Sequence, residues 1–233
     1  MNRNRMRNRG VSLLLVCVIG MLFFACDDVN TIHQEYYDRG EGIYTGAVDS
    51  LHYQVGYEKV RFTWEVNADP RIREVLIYWN ERADSVVLEV NREQDERFAM
   101  SHLLEEIPED SYIFEFVTTD GIGHYSLSKE VSLEVLGDSY ASSLRNRSIA
   151  SVEQREDGSL ALIWEPIASN NIQHTTLEYE LNGESHSVKV ENGETETLLT
   201  GLNIGDEVVV FSTFLPPNAF ETFDSPRRSY VLE

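Results

Sequence analysis

Beyond Tyr44 the apolar and polar positions alternate with a period of two. Val60, Phe62, Trp64 and Val66 alternate with Arg61, Thr63 and Glu65, and Tyr112, Phe114 and Phe116 alternate with Ile113, Glu115 and Val117. Leu160, Leu162 and Trp164 repeat the pattern, as do Leu177, Tyr179 and Leu181. Successive side chains of a strand point to opposite faces, so this alternation predicts half-buried strands. Asp157-Gly158, Asn182-Gly183 and Asn192-Gly193 separate such runs and are expected to supply the positive-φ positions of tight hairpins. No long amphipathic helical pattern competes, and the expected fold class is all-β.

The pattern occurs twice. Trp64-Glu65 is matched by Trp164-Glu165, Ile77-Tyr78-Trp79 by Leu177-Glu178-Tyr179, and Val86 to Val90 by His186 to Val190, each at an offset of 100 residues. Each copy places a Trp on its second strand and an aromatic on its third. Each then has a Leu-rich corner before the sixth strand: Leu104, Ile107 and Pro108 before Tyr112, and Leu199, Leu202 and Gly205 before Val208.

On these residues the chain resembles fibronectin type III domains, whose second-strand Trp and Leu-x-x-Leu corner leading to a Tyr are carried by Trp64, Leu104, Ile107 and Tyr112. The second copy keeps Trp164, Leu199 and Leu202 but has Val208 where the Tyr is expected, so its corner should close without that hydroxyl bond. The expected architecture is two tandem fibronectin type III-like, immunoglobulin-like β-sandwiches. The segments are a signal peptide over 1–25, a lipidated tether over 26–43, a first sandwich over 44–137, a connector over 138–148 and a second sandwich over 149–233.

The first copy is also similar to lipoprotein domains of Bacteroidota grouped as domain of unknown function 4998. The residues that carry this are Ile32-His33-Gln34 to Tyr44-Thr45-Gly46, Gly56-Tyr57 to Trp64, Asp69-Pro70, Ile77-Tyr78-Trp79-Asn80 and Gly123-His124-Tyr125-Ser126, extending to Tyr140–Asn146. The resemblance covers roughly half the chain. It implies a cell-envelope address and the company of outer-membrane glycan uptake or adhesion systems, and it implies no chemistry.

The N-terminus adds to this picture. Arg3, Arg5, Arg7 and Arg9 precede an uncharged, mostly apolar run from Val11 to Phe24 that ends at Ala25-Cys26. The run is short for a permanent span, which needs about 20 apolar residues, and reads as a cleaved signal. A small residue before the cysteine and Asp27-Asp28 after it mark a lipoprotein cleavage site, with Cys26 as the lipidated residue. Phe23 stands where such signals usually have Leu; an ordinary signal cut nearby or an uncleaved anchor is the alternative. Bacterial lipoproteins carry several acyl chains, and two or more hold a protein stably to a membrane. The only other cysteine, Cys17, lies inside the signal, so the mature chain has no intramolecular disulfide. The 208 residues from Cys26 to Glu233 must be stabilised by hydrophobic cores, and they suffice for two domains.

Removing the four signal arginines leaves 15 basic against 40 acidic residues, a formal charge of −25. Such a body repels nucleic acid and anionic head groups. It names no partner by itself, since solubility at a crowded surface explains it equally. The acids after Cys26 resemble surface-export signals of Bacteroidota lipoproteins, which points to a surface-exposed outer-membrane location, although similar residues mean retention in other bacteria and the side of the membrane stays open.

Candidate chemistry is sparse. The six histidines form no His-x-His or His-Glu-x-x-His pair, no mature cysteine remains to join them, and no metal or cofactor is expected. No Gly-x-Ser-x-Gly elbow is present, and with 40 acidic residues any carboxylate pair could be nominated. Gly40, Gly42 and Gly46 lack the spacing and context of a phosphate loop. Trp64, Trp79 and Trp164 lie in phase with the apolar faces of their strands and are expected in cores rather than as sugar platforms. The candidate ligand residues are Phe220 and Phe223, in the Pro-flanked connection Phe214–Pro226. Exposed, they could stack on a sugar or anchor a protein partner; folded back, they would plug a sandwich end or the interdomain seam. Asp49-Ser50-Leu51 and Asp84-Ser85-Val86 are similar to the O-glycosylation sequence of exported Bacteroidota proteins, which makes Ser50 and Ser85 candidate modification sites.

These readings converge on a lipid-anchored, non-catalytic binding module for a glycan or an outer-membrane partner protein. The alternatives are a structural spacer and, last, an enzyme.

Overall fold

The computed structural model describes residues 43–92 and 96–233. The compact body runs from Tyr44 to Glu233. In the first sandwich one sheet has the order β1-β2-β5, formed by β1 (Asp49–Gly56), β2 (Lys59–Val66) and β5 (Phe98–Leu104). The other has the order β4-β3-β6-β7, formed by β3 (Glu74–Trp79), β4 (Asp84–Glu89), β6 (Ser111–Thr119) and β7 (Lys129–Glu134). All pairings are antiparallel.

After α1 (Asp138–Ser143) the plan repeats. β8 (Ile149–Gln154), β9 (Leu160–Trp164) and β12 (Glu196–Leu199) form one sheet. β10 (Ile172–Leu181), β11 (Glu184–Glu191) and β13 (Glu207–Phe214) form the other, with a final strand split into β14 (Phe223–Asp224) and β15 (Arg228–Val231). Three strands facing four in this order is the fibronectin type III arrangement.

The alternation places the cores. Val60, Phe62, Trp64 and Val66 are all buried along β2. Phe62 meets Phe114 and Phe116 edge-on at 4.9 and 5.1 Å, and Trp64 meets Phe116 at 5.3 Å. The second core is mainly aliphatic, with Leu160, Leu162, Leu177 and Leu199 around Trp164. Trp79 lies at the edge of the first core, half-buried against Phe114.

Before each first strand a polar strap ties the two sheets together. In the first sandwich the Thr45 hydroxyl donates to the Thr118 carbonyl. In the second, Asn146 donates to Val210 and Pro226 carbonyls, and the Arg147 backbone N–H donates to Ser212 Oγ. Arg147 is 4% exposed, and its guanidinium donates to the carbonyls of Glu165, Glu191 and Glu194. Burial lowers its pKa, the nearby Glu194 carboxylate opposes that shift, and the three carbonyls take its hydrogen bonds.

Strand pairing refines the repeat. The second and third strands correspond at an offset of 100, but the pairs Ile77↔Val86 and Leu177↔Val188 put the fourth strands at 102. The pairs Ile77↔Phe116 and Leu177↔Val210 put the sixth strands at 94. Tyr112 therefore corresponds to Asp206, not to Val208. Tyr112 Oη donates to the Pro108 carbonyl at 3.1 Å, whereas the Asp206 carboxylate accepts from the Asn203 N–H at 2.7 Å. Each corner is closed by a different acceptor and donor. Asn182 and Gly183 take the expected positive φ, as does Gly158. Asn192-Gly193 does not; Asn192 Nδ2 instead donates to the Ile172 carbonyl at 2.6 Å.

The two core tryptophans differ at their indole nitrogens. Trp164 Nε1 donates to Thr197 Oγ1 at 2.8 Å, while the buried Trp64 Nε1 has no partner among the described residues. Trp164→Phe should therefore cost about 1 kcal/mol more than Trp64→Phe in urea unfolding. Equal losses would contradict the difference.

Candidate functional site

Phe214 and Phe223 both belong to strands, so the connection that carries the candidate aromatics is Leu215–Thr222. It does not stand free. Ala219 pairs with Val55 as a short parallel bridge on the edge of β1, through Val55 N to Asn218 O at 2.8 Å and Phe220 N to Val55 O at 3.0 Å. The loop thus uses the exposed backbone groups of an edge strand. Glu221 accepts from the Tyr57 N–H at 3.1 Å and pairs with Lys59 at 2.7 Å. Gly56 permits the approach, since a Cβ there would lie 2.8 Å from both Phe220 Cζ and Glu221 Oε2.

Phe223 is 4% exposed and packs into the first sandwich's core, 5.2 Å edge-on to Tyr140. It is therefore not an open stacking platform. Phe220 is half-buried, with the Arg61 guanidinium 4.0 Å over its ring. The expectation of a ligand-binding loop at Phe220 and Phe223 gives way to an interdomain seam, because exposed phenylalanines beside an unpaired strand edge are better buried against it.

The seam continues into the connector. Glu109 accepts from the N–H groups of Ser139 and Tyr140, at 2.7 and 2.6 Å, and so caps α1. Tyr57 Oη donates to Asp138 at 2.7 Å; that bond, with burial and the neighbouring carboxylates, pushes the Tyr57 pKa up to about 12.

Ser50 and Ser85 are both exposed, Ser50 at the irregular start of β1 with φ 49° and Ser85 one residue into β4. Cys26 lies outside the described residues. Among the described residues no group of three or more His, Cys, Asp or Glu side chains is placed to hold a metal ion.

The concavity that the sequence reading missed lies at the end of the second sandwich remote from this seam. The seam adjoins the end of β13 at Phe214, and the concavity adjoins its start at Glu207. It is an open groove of about 890 Å³ between the β10–β11 hairpin and the β12–β13 corner. Tyr179 and His186 face each other across the strands, stacked at 5.2 Å and 17°. Asn182, Asn203, Asp206 and Glu180 supply polar groups around them.

The groove borders the corner. In the first sandwich Tyr112 stands at the corresponding strand position, its ring 5.7 Å from Phe114, and in the second the shorter Asp206 lines the groove. A flat ring pair beside amides and carboxylates can take an apolar ring face while accepting hydrogen bonds from its hydroxyls. The available signal was a spacing: Tyr112 follows Leu104 by eight residues, and Asp206 follows Leu199 by seven.

The sequence profile of a family described as a domain of unknown function, DUF4998, matches residues 26–223. The match runs through the second sandwich to Phe223, well past the connector at which the sequence resemblance stops. Comparison with curated proteins gave no match. Among solved structures, a segment of two fibronectin type III domains from chicken tenascin is similar, with 16% identity and a TM-score of 0.34, over 81% of this chain and 99% of that one. The FN1–FN3 domains of chicken CNTN1 are similar with 12% identity and a TM-score of 0.38, over 81% of this chain and 65% of that one.

Phe223→Ala should destabilise the first sandwich, although the residue belongs to the second, by about 3 to 5 kcal/mol in denaturant unfolding. A loss confined to the second sandwich, or none, would contradict the seam.

Proposed function

The chain belongs to the DUF4998 family, and we propose that this member is a cell-envelope lipoprotein acting without catalysis, as a seamed pair of sandwiches anchored through Cys26. Its ligand site is the groove at Tyr179, His186 and Asp206, and its ligand class is a glycan. The observation that carries this reading is the groove itself. It is of the size that holds a small ligand, and its acceptor-rich rim around a planar ring pair suits a pyranose, which offers hydroxyl donors at its edge and C–H groups on its face. The address follows from the basic and apolar leader ending at Ala25-Cys26 and from the acids behind it. Surface exposure on an outer membrane completes the proposal.

A second reading, a spacer that holds another chain's ligand site away from the membrane, is favoured by the seam, which uses the most aromatic loop internally. Asp206→Tyr separates the two. A tyrosine there refills the groove with the residue type that closes the first sandwich's corner, so the fold should persist. On a glycan array the unsubstituted protein should bind a defined glycan set, and Asp206→Tyr should lose that binding while still unfolding cooperatively, with a loss of about 1 kcal/mol for the Asn203 bond it gives up. No binding by the folded unsubstituted protein selects the spacer.

The anchor is tested separately. Cys26→Ala should shift the protein from the membrane to the soluble fraction and abolish fatty-acid labelling; a protein still membrane-bound would refute lipidation at Cys26.

A further inference from the structure

The two ends of the first sandwich are used differently. One receives the loop of the second sandwich. The other, where the chain enters the body at Tyr44, carries the β6–β7 connection, and its apolar side chains stand in solvent: Ile122 is 84% exposed, Leu127 70%, Tyr44 60% and Tyr125 51%. Gly121 and Gly123, at φ 76° and 117°, make the tip, and neither has a non-adjacent atom within 4 Å of where a Cβ would stand.

The base of this loop is fixed. Asp120 accepts from the N–H groups of Ile122 and His124 at 3.0 and 3.1 Å and lies 2.5 Å from His124 Nδ1. Burial raises the Asp120 pKa, but these bonds outweigh it and hold the carboxyl at about 2. The Ser126 N–H donates to the Thr118 carbonyl, the same carbonyl that accepts from Thr45, so the loop and the entry strand share one support. A fixed loop that holds apolar side chains outward marks an interaction surface.

The charges near this end are of both signs, with the acids in excess among the described residues. Asp69 pairs with Arg71 at 2.7 Å and Arg97 with Glu65 and Asp49 at 3.0 and 3.2 Å, and Glu74, Glu89 and Glu96 add acids at the strand ends below the loop. The apolar tip, held outward on its fixed base, is the part of this end suited to approach an uncharged bilayer surface. We infer that it does: Ile122, Leu127, Tyr125 and Tyr44 dock into the lipid surface that carries the anchor. This rests on the lipidation of Cys26 proposed above. Residues 27–42 connect Cys26 to the body by at most roughly 55 Å of chain, and the body begins at Tyr44 on this same end. Tyrosines favour the head-group level, and apolar tips the acyl boundary below it.

The test uses the full chain carrying Ile122→Trp, purified with its lipid, in phosphatidylcholine vesicles with and without acyl-brominated phosphatidylcholine. The signal of the other three tryptophans is subtracted using the unsubstituted chain. Trp emission from position 122 should shift to shorter wavelength on vesicles and be quenched by the brominated lipid, and Leu127→Trp should behave alike. Intact mass of the same sample reads the lipid on Cys26. A lipidated, folded chain whose added tryptophan is neither shifted nor quenched overturns the docking and leaves the anchor standing. A chain without lipid refutes both. Self-association abolished by Ile122→Ser, without quenching, would assign the surface to a second copy instead and also overturns the inference.

Discussion

The structure depends on the closure of one strand edge by a loop from another domain. β1 would present unpaired N–H and C=O groups at Val55, and Leu215–Thr222 of the second sandwich supplies their partners. The same segment carries Phe223 into the first core, a burial that contributes about 1.5 to 3 kcal/mol by transfer alone, and places Glu221 on Lys59 and the Tyr57 N–H. Backbone pairing, the Phe220 ring and the Lys59–Glu221 ion pair all converge on Gly56, where no side chain stands in the way. The two sandwiches are therefore coupled through contacts at the seam as well as through α1, whose first turn is held by Glu109 of the first sandwich.

This seam reassigns the aromatic loop and turns attention to the sandwich ends. With Phe223 buried, the groove beside Asp206 becomes the ligand site of the proposed function, and the apolar β6–β7 loop becomes the surface of the further inference. The two lie on different sandwiches. They also differ in character: the groove is rimmed by carboxylates and amides, whereas the β6–β7 loop holds apolar side chains outward.

The strands were legible in the sequence because alternation is a local signal. β2 shows it most clearly, with four buried residues in a run of eight, and the matched Trp64 and Trp164 revealed the duplication. The register was not legible, because hairpin and corner lengths differ between copies and strand offsets change from 100 to 102 and 94. That is why Val208 stood in for Asp206. Neither alternation nor turn chemistry indicates that Arg147 is buried on three carbonyls, or that Phe223 enters the other domain's core. Tyr57 and Glu221, which flank that contact, are 164 residues apart. Long-range contacts of this kind leave no periodic trace, and for an aromatic in a Pro-flanked loop, exposure and burial look alike in sequence.

Native-state amide hydrogen exchange at Val55 and Phe220 tests the seam most directly, since both N–H groups serve only the contact between the sandwiches. The account predicts that they exchange as slowly as the core strands around them, opening only when the first sandwich unfolds. Exchange at the rate of an exposed loop, with the core amides still protected, would show that Leu215–Thr222 does not close the edge of β1.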